Sequence, residues 1–268
     1  MGFADVRKIS GLYTAEVVRT SRVTPHMVRV TLGGQDLTRL PQRGFDHWFR
    51  LFLPRPEGET DFSNIPARFD TAGYLKYLRT KADARPPIRN YTVRNHRPEA
   101  GEIDVDFVAH GDLGVAGPWA QRAQPGERVA LIDQGCGFDP LADATSVVLV
   151  GDESALPAIA GILRDLDRAA QGLAIVEIPD DADRQPVDPP PGLEVHWVPR
   201  KDPHARPGLA ALAEARTHTP PEPSTAQAYL AGEQHLVAEA RRHLVAARVP
   251  KPRIAFTGYW KAGHGQPR

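Results

Sequence analysis

The sequence predicts a molecule in two parts, an antiparallel β-barrel over residues 1–142 and a doubly wound parallel α/β domain over residues 143–268. Three observations predict it. The first half carries short β-prone stretches punctuated by Pro and Gly, with only one brief helical stretch. Near residues 139–143 the pattern changes to unalternating apolar runs, typical of strands buried on both faces, separated by amphipathic helical stretches. And 268 residues suit one large domain or two ordinary ones, each able to bury its own core.

Residues 12–19 and 26–32 read as strands, separated by Thr24-Pro25 and ended by Gly33-Gly34. A third, 48–53, is closed by Pro54. Residues 55–87 lose the pattern apart from a short helical stretch around 74–78, so this segment is either functional or poorly ordered. Strands return at 89–95 and at 102–109, where Ile103, Val105 and Phe107 oppose Asp104 and Asp106. With 127–132 this makes roughly six strands, enough for a small barrel. In the second half, 146–150 is a buried strand, followed by Gly151 and a helix with Leu156, Ile159, Leu163 and Leu166 on one face. Strands at 173–178, 193–198, 228–231 and 253–259 alternate with helices at 209–216 and 233–248.

Composition excludes several classes. Lys+Arg and Asp+Glu both number 33, and this neutral balance gives no support for binding nucleic acid or an anionic membrane. No apolar run is long enough for membrane insertion, and residues 1–7 lack the apolar core of a signal peptide. Cys136 is the single cysteine, so an internal disulfide and a thiolate metal cage are excluded. A cytoplasmic, monomeric globular protein is expected.

Candidate chemistry gathers in three places. On a strand, Arg89 and Tyr91 share one face, a planar cation beside a phenol, which suits a diphosphate next to a ribose or an aromatic ring. Thr92 offers a hydroxyl to a heterocyclic nitrogen; the tetrapeptide alone fits an edge strand with solvated arginines better. The glycines of 111–117 precede a helical stretch at 119–123, a loop whose N–H groups serve either an anion or a helix cap. Gly151 to Ser154 and Gly232-Glu233 lie at the carboxyl ends of parallel strands, where α/β sheets bind ligands. There is no G-x-G-x-x-G, and Asp152 and Glu153 also fit as helix caps.

Further runs stand in order along nearly the whole chain: His110-Gly111, Ala116-Gly117-Pro118-Trp119-Ala120, Gly151-Asp152-Glu153-Ser154-Ala155-Leu156-Pro157, Ala231-Gly232-Glu233 and Gly258-Tyr259-Trp260-Lys261. Arg-x-Tyr-Thr after short strands resembles the flavin signature of ferredoxin-reductase-like flavoproteins. The full set resembles the siderophore-interacting protein family, the ferric-siderophore reductases; the Gly-Asp-Glu-Ser-Ala-Leu-Pro and Gly-Tyr-Trp-Lys runs are its specific parts.

The resemblance implies FAD, with Arg89 on the pyrophosphate, Tyr91 near the ribityl chain and ring, and Thr92 near the reactive edge. Asp106, Val108, His110, Gly111, Ala116, Gly117, Trp119 and Ala120 would line the same cofactor, His110 more as a hydrogen-bond partner than as a catalyst. Tyr259 and Trp260 would lie near the flavin. NADPH or NADH would use Gly151, Asp152, Glu153, Ser154, Ala155, Arg200, Gly232 and Glu233. Acids at 180–183 suit a free ribose hydroxyl and hence NADH, whereas Arg200 suits a 2′-phosphate and hence NADPH. Arg50 and Lys261 are the expected cations for a ferric-siderophore substrate. Many family members have Gly-Pro-Arg-Gly or Gly-Pro-Gly-Gly where this chain has Gln134-Gly135-Cys136-Gly137. The missing arginine favours hydroxamate over catecholate substrates. The implied reaction passes electrons from NAD(P)H through FAD to chelated Fe(III), releasing Fe(II), with no catalytic side chain required. A ferredoxin-reductase-like enzyme with a flavin or protein acceptor and a non-enzymatic ferric-siderophore carrier are the alternatives.

Overall fold

In the computed structural model, which describes residues 11–109, 114–200, 202 and 205–263, alternation in the first half becomes a seven-stranded antiparallel sheet. Its strands are β1 (Leu12–Thr24), β2 (Met27–Gly33), β3 (Trp48–Phe52), β4 (Ile88–Thr92), β5 (Asn95–Arg97), β6 (Glu102–Val108) and β7 (Arg128–Gly135), in the order β4-β3-β7-β1-β2-β6-β5. β4 and β5 are the two edges of this sheet, yet only Val93 and Arg94 separate them in the chain. Val93 N donates to His47 O at 2.8 Å and Arg94 N to Asp104 O at 2.8 Å, so these two residues tie the edges together and close the barrel. The single strand expected at 89–95 is therefore two, broken where the sheet changes partner. Inward residues such as Val30, Leu32, Phe49, Leu51, Val105, Phe107 and Leu131 fill the interior.

β6 departs from simple alternation because its acids are buried too. Asp104 accepts two bonds from Arg97 at 2.7 Å each, one from Thr31 Oγ1 at 2.7 Å and one from Asn95 Nδ2 at 3.0 Å. Burial opposes ionisation, yet these donors hold its carboxyl well below the usual range. The segment between β3 and β4 is packed. With helix α1 (Thr71–Tyr77) it lays Phe62, Phe69 and Tyr77 over Phe52, Ile65, Ala130 and Ile132 on the outer barrel face. Fully burying one such Phe or Ile stabilises by roughly 1.5–3 kcal/mol. Helix α2 (Ala116–Arg122) precedes β7.

The second sheet has five parallel strands in the order β10-β9-β8-β11-β12: β8 (Val147–Gly151), β9 (Gln171–Ile178), β10 (Gly192–Pro199), β11 (Gln227–Glu233) and β12 (Ile254–Trp260). Helix α3 (Leu156–Asp165) covers one face through Leu156, Ile159, Ile162 and Leu163. Helices α4 (Leu209–Ala215) and α5 (Gln234–Ala246) cover the other through Leu212, Leu236, Val237, Ala240 and Leu244. No helix among the described residues is long and apolar enough to cross a membrane.

The packing separates into two compact units. One comprises the described parts of 11–43 and 47–135, the other 44–46 and the described parts of 136–263. Gly44–Asp46 belongs with the second unit because its polar groups are satisfied there. Phe45 N donates to Asp165 Oδ2 at 2.6 Å, and the Asp46 carboxylate accepts from Gly137 N and Phe138 N at 3.0 Å.

Candidate functional site

Strand β4 positions the first group of expected site residues. Leu51 pairs with Arg89 and Phe49 with Tyr91, so Arg89 and Tyr91 share the face of two inward barrel residues. Arg50, Asn90, Trp48 and Thr92 lie on the other face. The Tyr91 ring packs on Phe107 with centroids 4.2 Å apart, and Phe107 in turn meets Trp119 at 5.5 Å. Burial pushes the Tyr91 phenol far above its usual range, so it is a neutral donor at any physiological pH. Arg89 is half-buried, with Nη1 donating to Ile88 O at 2.7 Å. Arg50 lies over the Phe69 ring at 4.6 Å, and its buried Nε has no hydrogen-bond partner among the described residues. Burial lowers the pKa of both guanidinium groups, the signature of cations held partly out of water.

The remaining barrel-side expectations are placed as follows. Asp106 is buried and bidentate with Arg29, at 2.7 and 2.8 Å, with Arg94 Nε 3.4 Å away. Its carboxylate anchors β6 to β2. Trp119 is 2% exposed, and its indole N–H donates to Glu127 Oε2 at 2.9 Å, so it is the residue of α2 that enters the barrel core. Ala116 and Ala120 are buried beside it. Gly117 stands where a Cβ would come within 2.9 Å of Val108 O, so α2 touches the end of β6 only because this residue is glycine. The N-cap of α2, Val115, supplies no side-chain cap to the first-turn N–H groups. His110 and Gly111 lie outside the described residues.

The second group lies at the carboxyl edge of the parallel sheet. The chain runs from β8 outward to β9 and β10, then returns to β11 and β12 on the other side, so the strand order reverses between β8 and β11. Such a switch point leaves a crevice that α/β sheets use for ligands. The two strand ends there are Gly151 and Gly232-Glu233, as the sequence expected. A Cβ on Gly151 would meet Ala155 Cβ at 2.6 Å and Ala231 O at 2.9 Å. Gly232, at φ 122°, holds a backbone conformation that favours glycine, and a Cβ there would strike the Asp152 carboxylate.

Asp152 ties this edge together. It accepts from Ser154 N (2.9 Å), Ser154 Oγ (2.5 Å), Glu233 N (2.6 Å) and Trp260 Nε1 (3.1 Å). Burial and the neighbouring Glu153 charge outweigh these donors and push its carboxyl up to about 7. Both polar groups of Ser154 are thus turned to Asp152. Arg200 is equally committed: Glu153 takes it in a two-pronged pair at 2.7 and 2.8 Å, and Glu177 accepts from Nη1 at 2.9 Å. Glu177, fully buried, also accepts from Gly208 N and Ala211 N at the start of α4. Glu233 caps α5 through His235 N and Leu236 N and pairs with Arg206 at 2.7 Å. Ala155 is buried at the start of α3.

Tyr259 and Trp260, expected as ligand-side aromatics, are both anchored by their polar ends. The Tyr259 hydroxyl lies 2.9 Å from that of Tyr229, which is fully buried beside Asp46. Trp260 is held by Asp152, and Lys261 is exposed just beyond β12. Sequence reasoning missed Glu177, Arg206, Asp46 and Tyr229. Of these only Glu177 left a signal, an acid inside an otherwise apolar strand.

Comparison with known proteins places this architecture. Residues 16–136 match the model of the siderophore-interacting FAD-binding domain, and residues 144–263 that of siderophore-interacting protein. The chain is 32% identical to the ferric vibriobactin reductase ViuB of Vibrio cholerae, over 94% of this chain and 90% of the relative. It is 27% identical to the NADPH-dependent ferric-chelate reductase of Escherichia coli, over 92% of this chain and 91% of that one. A siderophore utilization protein from T. fusca superposes with a TM-score of 0.77 at 32% identity, covering 96% of this chain and 95% of the other. The chain belongs to the siderophore-interacting protein family.

Proposed function

We propose that this protein is a cytoplasmic ferric-siderophore reductase that carries electrons from NAD(P)H through FAD to chelated Fe(III). The observation that carries the reading is the coexistence of the Arg89-x-Tyr91-Thr92 strand on a closed barrel with a parallel-sheet switch point, in a chain of this family. The donor set fits FAD: a half-buried cation at Arg89 and, among the described residues, a helix start at α2 without a side-chain cap. Arg89 would hold the diphosphate, with Tyr91 and Thr92 along the ring and ribityl chain. When bound, FAD supplies the change from hydride chemistry to single-electron reduction of Fe(III).

The part up to residue 142 is the FAD-binding domain in this reading, and residues 143–268 bind the nicotinamide at Gly151, Gly232 and their flanking loops. Arg200 is assigned to holding Glu153 and Glu177 rather than to a 2′-phosphate, because both carboxylates already engage its guanidinium. Both nicotinamides remain donors. Arg50 and Lys261 are the substrate-side cations, the protein acts as a monomer, and hydroxamates are the favoured substrates.

The test is an absorption spectrum of the purified protein, followed by anaerobic addition of NADH or NADPH. An oxidised-flavin spectrum that bleaches with either donor is expected. A protein that neither carries FAD nor takes it up would leave the non-enzymatic carrier as the better reading.

A further inference from the structure

We infer that His196, Glu214 and His218 form a site for a divalent first-row transition-metal ion, separate from the proposed reductase chemistry. The three side chains come from different local elements of the α/β unit. His196 is on the edge strand β10, Glu214 is in the last turn of α4, and His218 follows that helix. Glu214 and His218 stand four residues apart across the helix end, a spacing that brings side chains together.

The donor atoms converge. His196 Nδ1 lies 2.9 Å and His218 Nε2 3.2 Å from the same Glu214 oxygen, Oε1. One ligand atom from each of the three residues falls within 4.8 Å of the others. With metal–nitrogen and metal–oxygen bonds of about 2.0–2.2 Å, adjacent ligand atoms of a four- to six-coordinate ion lie about 3 Å apart. The two separations to Glu214 Oε1 match that edge length.

The surroundings add the usual outer support. The second nitrogen of His196, Nε2, faces Glu194 Oε2 at 3.3 Å. A carboxylate there fixes the ring orientation and raises the basicity of the ligating nitrogen. His243 Nε2 donates to His218 O at 3.0 Å and anchors the segment that carries the second imidazole. The side chains of His196, Glu214 and His218 are 32%, 35% and 38% exposed, so an ion can enter from solvent.

Two imidazoles and one carboxylate select the ion class. Mg2+ and Ca2+ prefer all-oxygen shells, whereas Zn2+ and Fe2+ accept this mixed set and leave open positions for water. An ion pair between β10 and α4 would need only one histidine. The second imidazole aimed at the same oxygen is what the metal explains.

Equilibrium dialysis of the metal-free, flavin-loaded protein against Zn2+ tests the site. One equivalent of bound Zn2+ is expected, unaffected by excess Mg2+. His196→Ala/His218→Ala should abolish it, and Glu194→Gln should weaken it by roughly 10–100-fold while leaving NAD(P)H-driven flavin reduction unchanged. Absence of uptake by the wild-type protein, displacement by Mg2+, or undiminished uptake by the double variant would overturn the assignment. Should the double variant fail to fold, modification of the wild-type protein with diethyl pyrocarbonate decides. One equivalent of Zn2+ should protect His196 and His218, and equal modification with and without Zn2+ would also overturn it.

Discussion

Arg89, Asp133 and Arg200 each have a testable role. Arg89 is the half-buried cation on the Tyr91 face of β4. A charge-assisted bond contributes roughly 1.5–3 kcal/mol, so Arg89→Ala should weaken FAD affinity by about 10–100-fold, read by flavin retention on dilution. Asp133 tests electrostatics inside the barrel unit. Burial opposes its ionisation, but His47 at 2.9 Å, Arg43 at 2.8 Å and Gly135 N hold its carboxyl down at about 2, against an ordinary 3.8. Its folded pKa is depressed, so its contribution is present above pH 3.8 and is lost as the pH falls through 2. That contribution is about 2 kcal/mol. Asp133→Asn should remove this acid limb from urea unfolding curves and cost toward the low end of the roughly 3–5 kcal/mol of a broken buried pair, since Arg43 keeps some solvent. Arg200→Ala should destabilise the α/β unit by a similar amount, because it takes the cation from Glu153 and leaves the buried Glu177 charge with only its bonds from Gly208 N and Ala211 N. Its effect on the KM for NADH and for NADPH should then be parallel; a rise confined to NADPH would return Arg200 to the 2′-phosphate. The sequence showed which residues reach the sheet edge, but not that Arg200 is spent on Glu153 and Glu177, or Glu233 on Asp152 and Arg206. Those bonds join positions tens of residues apart, and no local pattern encodes them.

At the scale of elements, strand and helix locations were legible because periodicity is local. The apolar run before Gly151 became β8, and Leu156, Ile159 and Leu163 became the buried stripe of α3. What escaped was set by distant partners. The division of 89–95 into β4 and β5 depends on His47 O and Asp104 O receiving Val93 and Arg94, and the acids of β6 are buried because Arg29, Arg94 and Arg97 cover them. The assignment of Gly44–Asp46 to the second unit likewise rests on Asp165, Gly137 and Phe138. Gly161 tests that attachment. Helix propensity alone says Gly161→Ala should stabilise α3 by about 1 kcal/mol. A Cβ there, however, would stand 2.1 Å from Phe45 O, closer than any packing allows. Overpacking costs roughly 1–3 kcal/mol, so the net sign should be destabilising, measured as a lower thermal midpoint with an unchanged flavin spectrum.

At the scale of the whole molecule, the proposed reaction takes electrons from NAD(P)H through FAD to chelated Fe(III). Overall charge is balanced at 33 and 33, so any reading of substrate charge is local, and Arg50 and Lys261 are the cations proposed for it. Arg50 is stacked on Phe69 and partly desolvated, and Lys261 is exposed, which leaves only a modest attraction for anions. Hydroxamate complexes, often neutral or positive, should be reduced at least as readily as anionic catecholates, and salt should slow only the latter, mildly. The most direct measurement is anaerobic turnover of a ferric hydroxamate and a ferric catecholate with NAD(P)H and a ferrous trap, at low and high salt. Two trapped Fe(II) per NAD(P)H oxidised are expected, with hydroxamate at least matching catecholate. NAD(P)H oxidation without trapped Fe(II) from either complex would contradict the proposed reaction.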